Sequence, residues 1–168
     1  MAFKFEVHPE ALKRCFAVYV VIAKGERETL LYVGKTGDNR EGCNPLISRC
    51  GNHFSYNKVH SQVRNKIEVH ESWKYTYVFD HFAIYCEGVV ERKSKVDHIN
   101  EMERWVNIKV QGLVGQAPGI TLLNPYLGHG YLGAVERKKR DGLRTAAAER
   151  KVMGIIAEVS LLLAIEAT

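Results

Sequence analysis

Two apolar, strand-like runs joined by a short charged turn constrain this chain most. Residues 15–23 and 29–33 are rich in β-branched and aromatic side chains, and Lys24-Gly25-Glu26-Arg27-Glu28 between them has the glycine and charges of a turn. Together they predict an antiparallel hairpin. Val18-Tyr19-Val20 lies on its first strand and Tyr32-Val33-Gly34 on its second. Neighbouring strands bring facing side chains to about 5 Å, so Tyr19 and Tyr32 are expected to share one site. Gly34 follows on the second strand, and Lys35 adds a cation beside it.

Length bounds the rest. A chain of 168 residues predicts one domain over 1–168, and its 46% hydrophobic content is enough to bury a core. A net charge of +5 fits a polyanionic partner. The four cysteines, Cys15, Cys43, Cys50 and Cys86, form no C-x-x-C pair, which argues against a zinc ribbon. The first residues carry no apolar core of signal-peptide length, so the cytoplasm is the expected compartment. The apolar stretch at 152–165 is interrupted by Glu158 and too short for a bilayer, so no membrane partner is expected.

After the hairpin, a loop of turn formers at 37–44 leads to Asn44-Pro45, read as an N-cap followed by a first-turn proline. The helix it starts carries Arg49 and His53, four apart and therefore on one face. Further elements are expected at 9–13 (a short helix), 57–69 (helix, with Val59, Val63 and Ile67 inward), 75–86 (strand), 96–110 (helix) and 143–166 (helix). The charged 91–95 reads as a turn. Val152, Ile155, Ile156, Val159, Leu162 and Leu163 form an apolar stripe on the last helix, which either packs on the domain itself or joins two chains in a homodimer.

On the 96–110 helix, Val96, Ile99, Met102, Val106 and Val110 cluster on one face, with Glu103 among them and Glu101 nearly opposite, at an exposed position. A carboxylate aimed at a core needs a partner, either a divalent metal or a basic side chain.

The order of these features resembles the GIY-YIG nuclease superfamily. That family has paired tyrosines on a hairpin, a helix with arginine and often histidine four residues on, a metal-binding glutamate on a later helix, and a closing leucine-asparagine, here Leu123-Asn124. Val-Tyr-Val stands where the family has Gly-Ile-Tyr. The resemblance covers residues 16–125, leaving 126–168 as a basic loop plus a C-terminal helix. It implies an α/β (α+β) fold whose small, mainly antiparallel three-stranded sheet is flanked by helices. It also implies a metal-dependent endonuclease with one Mg²⁺ (or Mn²⁺) per site, held by Glu103.

The catalytic set would be Tyr19, Tyr32, Lys35, Arg49, His53, Glu103 and Asn124. Arg49 would fork onto non-bridging phosphate oxygens. Tyr19 or Tyr32 would take a proton from water if Lys35 lowers a phenol pKa, and His53 is the other base candidate. Gly34, Lys58, His60, Gln62 and Arg64 would contact nucleic acid. Double-stranded DNA is the expected substrate, cut by a small restriction-type, mobile-element or phage nuclease. RNA cleavage, or a non-catalytic nucleic-acid-binding protein that kept the fold, are the alternatives.

Overall fold

The apolar sequence of β1 (Cys15–Lys24) suits a strand buried on both faces, and β1 is an inner strand of the sheet: only Lys24 at its end is exposed. The structure, a computed structural model, describes residues 2–37, 43–57, 59, 61–115, 117–128 and 133–164. β2 (Thr29–Lys35) returns antiparallel beside β1, as the turn predicts. β3 (Lys74–Ile84) pairs with the other edge of β1, also antiparallel. β4 (Ile120–Leu122) adds a short strand parallel to β2, giving the order β3-β1-β2-β4. The sheet is therefore four-stranded and mixed, not three-stranded and antiparallel. β4 escaped the sequence reading because three residues give no alternation to detect.

Four α-helices are present among the described residues: α1 (Leu46–Phe54), α2 (Val89–Val114), α3 (Ala134–Leu143) and α4 (Ala146–Leu163). Strand alternation sends Phe16, Val18, Val20 and Ile22 to one face, where α2 and α4 cover them with Ile99, Met102, Val106, Val152, Ile155 and Val159. Tyr19, Val21 and Ala23 point the other way, against α1 (Leu46) and a loop that contributes Val63 and Ile67. The result is an α+β arrangement of helices, sheet, then helix and loop.

Several boundaries differ from expectation for physical reasons. α1 has Pro45, not Asn44, at its cap position, with no side-chain cap bond. Residues 9–13 form a 3₁₀ turn, Pro9–Leu12, capped by His8. The 57–69 helix does not form; the described part holds only the 3₁₀ turn Arg64–Lys66, followed by a second, His70–Ser72. Here Ser61 Oγ bonds the Ser55 and Asn57 carbonyls and Asn57 Oδ1 accepts from Val59 N, so side chains compete with a helical backbone. Val63 and Ile67 still reach the core, while Val59 is exposed.

α2 starts at Val89, so the predicted 91–95 turn is its first turns, stapled by Glu91–Lys95 at 2.7 Å. The single C-terminal helix is two: Thr145 caps α4 by accepting from Ala148 N at 3.2 Å, and the basic run 137–140 lies on α3. Residues 165 and 166 of the expected last helix lie outside the described residues. The apolar stripe of α4 packs on its own sheet and on α2. No described helix is long and apolar enough to cross a membrane.

Candidate active site

The hairpin register decides how the two tyrosines meet. Tyr19 pairs with Gly34 and Tyr32 with Val21, so the tyrosines are diagonal neighbours on the α1 face. A Cβ added to Gly34 would lie 2.5 Å from the Tyr19 ring carbon and hydroxyl. Gly34 is thus the residue over which the Tyr19 ring lies, and any side chain there would displace it.

His53, on α1, joins this pair. Its Nε2 lies 2.9 Å from the Tyr19 hydroxyl and its Nδ1 2.9 Å from the Tyr77 hydroxyl. The Tyr77 ring stacks on the imidazole at 20°, and Tyr32 meets it edge-on at 5.4 Å. Burial, with the nearby Arg49 charge, lowers the His53 pKa to about 4. A neutral imidazole has one N–H and one lone pair, so it donates to one tyrosine and accepts from the other.

Burial also pushes the Tyr19 phenol well above its ordinary pKa, reinforced by Tyr32 and Glu103 and only partly opposed by Arg49. Two expectations are corrected: the Tyr19 phenol is not acidified, and His53 is a weak base at neutral pH. Tyr77 belongs to the cluster although its sequence marks it only as a strand aromatic. Its register opposite Val21, on the same face as Tyr19, is the signal that would have found it.

The other half of the site lies across the end of β2. Lys35 follows Gly34 and so points to the α2 side, where its Nζ meets Glu103 Oε2 at 2.5 Å. Arg49 reaches the same strand end from α1: its Nε donates to the Lys35 carbonyl at 3.4 Å, and its charge is felt at both Tyr19 and His53. Lys35, Glu103, Asn107, Asn124 and Tyr126 are among the residues lining a cleft of about 300 Å³.

Asn124 lines this cleft by its position, but its side chain holds strand β2. Its Oδ1 accepts from Val33 N at 3.0 Å and its Nδ2 donates to Val33 O at 2.7 Å, continuing the β2–β4 ladder as a backbone would. Asn107 and Gln111, which the sequence did not single out, anchor this corner. Asn107 Nδ2 donates to Asn124 O, Tyr126 N donates to Asn107 Oδ1, and Gln111 Nε2 donates to Asn107 Oδ1, all within 2.9 Å.

Glu101 reverses its expected placement. It is 1% exposed and held by Arg104, one turn on, and by Arg144, whose Nε and Nη2 both reach Oε1. The helical wheel assumed one buried side of α2, whereas α2 packs against α3 and α4 as well as the sheet.

Among the described residues, no group of three His, Cys, Asp or Glu side chains converges on one point. The donor set in the cleft is instead a single carboxylate, Glu103, in an open polar recess. That chemistry fits a hard divalent ion that keeps most of its waters and completes its shell with substrate oxygens.

Of the residues expected to contact nucleic acid, Gln62 is exposed and its amide donates to Val59 O, while Arg64 stacks on Tyr56 at 4.6 Å. Lys58 and His60 lie outside the described residues. Comparison with models of known protein families, with curated proteins and with solved structures found no match for this chain.

Proposed function

We propose that this protein is a metal-dependent endonuclease of GIY-YIG type that hydrolyses DNA phosphodiester bonds, a small restriction-type, mobile-element or phage nuclease. One observation carries the reading. Residues from β1, β2, α1 and α2, far apart in sequence, meet at the end of β2 as a phenol–imidazole chain beside a cleft that holds the Lys35–Glu103 pair, with Arg49 bonded to the Lys35 carbonyl. A core built only for packing needs no lysine, arginine and glutamate gathered around a buried phenol.

In this mechanism a scissile phosphate sits at the mouth of the cleft. Arg49 holds its non-bridging oxygens, and Lys35 leaves Glu103 to offset the charge that grows as water attacks phosphorus. Glu103 would hold Mg²⁺ or Mn²⁺, which would supply Lewis-acid relief of the charge on the phosphate and the leaving oxygen. Tyr19 takes a proton from the attacking water as its own passes to His53 Nε2, so the high phenol pKa is no obstacle: no free phenolate is formed. Tyr77 keeps the imidazole turned to receive it. Tyr32 closes the open edge of this chain. Asn124 holds β2 and therefore Gly34 and Lys35 in register.

The Lys35–Glu103 ion pair favours a second reading, a non-catalytic nucleic-acid-binding protein, because it neutralises the carboxylate a metal would use. Incubation with supercoiled plasmid and with RNA, each with and without Mg²⁺, separates the two. The proposal expects plasmid cleavage only with metal. Retarded but uncut plasmid under both conditions supports the second reading, and metal-dependent cleavage of RNA alone moves the substrate to RNA.

A further inference from the structure

A second cavity, of about 470 Å³, lies beside the Glu103 cleft and has no part in the chemistry above. Arg104 from α2, Arg137 and Arg140 from α3, and Arg144 from the link to α4 line it, with Tyr126 and Asp141. Within the basic run 137–140, helical spacing turns Arg137 and Arg140 to one side, and both meet this cavity. Arg104 and Tyr126 also line the Glu103 cleft, so the two recesses adjoin.

The charges do not cancel in the wall. Four guanidiniums line the cavity against one carboxylate, Asp141. Arg104 and Arg144 hold the same buried Glu101, whose single charge neutralises only one of them. Arg140 is paired with Glu136 at 2.9 Å. Arg104 Nε is buried and has no hydrogen-bond partner among the described residues. A guanidinium with an incomplete set of acceptors gains from an anionic oxygen at the edge that the cavity reaches. Arg104 lies 5.3 Å from the Tyr126 ring and Arg144 5.3 Å from the Trp105 ring, so both are held in place before any ligand arrives.

We propose that this cavity binds a backbone phosphate of the nucleic-acid strand that crosses the Glu103 cleft. The anion chemistry stands on the cavity itself, while the choice of a polynucleotide rests on the nuclease reading. The strand then runs from the cleft past Tyr126 to α3, and the basic run is a grip on its backbone.

The test is binding of a labelled short duplex, without metal, over a range of salt concentrations. Arg137→Gln/Arg140→Gln leaves the two arginines on Glu101 in place. It is expected to weaken binding about tenfold and to lower the salt slope by roughly 1 to 2, the loss of one or two phosphate contacts. Arg137→Glu alone moves affinity the same way, and thermal melts verify that both variants fold.

Wild-type affinity and slope in both variants overturns the proposal and leaves the nuclease reading intact. A wild-type protein that binds duplex but never cuts it removes the nuclease reading, and the same variants still decide the cavity. A wild-type protein that binds inorganic phosphate but no duplex overturns the assignment to a strand.

Discussion

The α1 face and the α2 face of the sheet meet at the end of β2 with opposite environments. On the α1 face, Tyr19, His53 and Tyr77 form a buried chain in which burial dominates every pKa shift: the phenols go up and the imidazole goes down. On the α2 face, Lys35 and Glu103 form an ion pair in a cleft, both partly open to solvent. In the proposed nuclease the difference separates two tasks. In the proposed chemistry the buried chain passes a proton without a free phenolate on the way, and the charge arises only on the His53 imidazole that receives it. A solvated cleft lets charged groups exchange partners when a phosphate arrives, which a fully buried pair resists. Lys35 and Gly34, adjacent on one strand, serve different faces because alternation sends successive positions to opposite sides.

Substitutions sharpen this contrast. The largest effect is expected from Glu103→Gln, which removes the one carboxylate of the cleft: plasmid cleavage falls by roughly 10³-fold or more while melting temperature and duplex affinity change little. Glu101→Ala, two residues away, should do the reverse. It leaves two guanidiniums beside an empty buried site, costing about 3 kcal/mol in a denaturant titration, while cleavage per folded molecule is kept. If Glu101 proves essential for cleavage and Glu103 dispensable, the assignment of the two carboxylates is inverted. Arg49→Ala is expected to lower kcat/KM by about 10²-fold, the scale of one transition-state donor; near-normal turnover would leave Arg49 only its bond to the Lys35 carbonyl.

The smallest effect concerns pH. The folded pKa of His53, about 4, lies below its unfolded value of 6.5. The unfolded chain therefore binds the proton first on acidification. The stability due to a neutral His53 is fully present above pH 6.5 and is lost as pH falls towards 4, with roughly 2 kcal/mol gone by about pH 5. His53→Asn should flatten this part of the stability–pH curve. A curve unchanged by the substitution would mean that another group titrates there.

Much of this arrangement is written in local sequence. The hairpin, the Arg49/His53 pair on α1 and the strand at β3 follow from turn residues, helical spacing and alternation. The inward Val63 and Ile67 were also legible, although their helix was not, because burial depends on the apolar residue and helix formation on the competing Ser55, Asn57 and Ser61 side chains. What escaped is set by tertiary packing. Glu101 is buried because α3 and α4 pack behind α2, and Tyr77 joins His53 through a strand pairing across more than fifty residues of chain. Asn124 shows the limit within a motif: the sequence marked the residue, while its bonds to both backbone groups of Val33 give it a structural task.

The central claim is that the two faces act on one phosphate, the buried chain moving the proton and the cleft carrying the charge. The most direct test is single-turnover cleavage of a short duplex by Tyr19→Phe, with duplex affinity measured on the same protein. Removal of one hydroxyl deletes the link between water and His53 Nε2 and leaves the cleft intact. The account predicts a rate lower by about 10²-fold or more with affinity within about threefold of wild type. Cleavage at the wild-type rate would contradict it, reducing the Tyr19–His53–Tyr77 chain to a packing element.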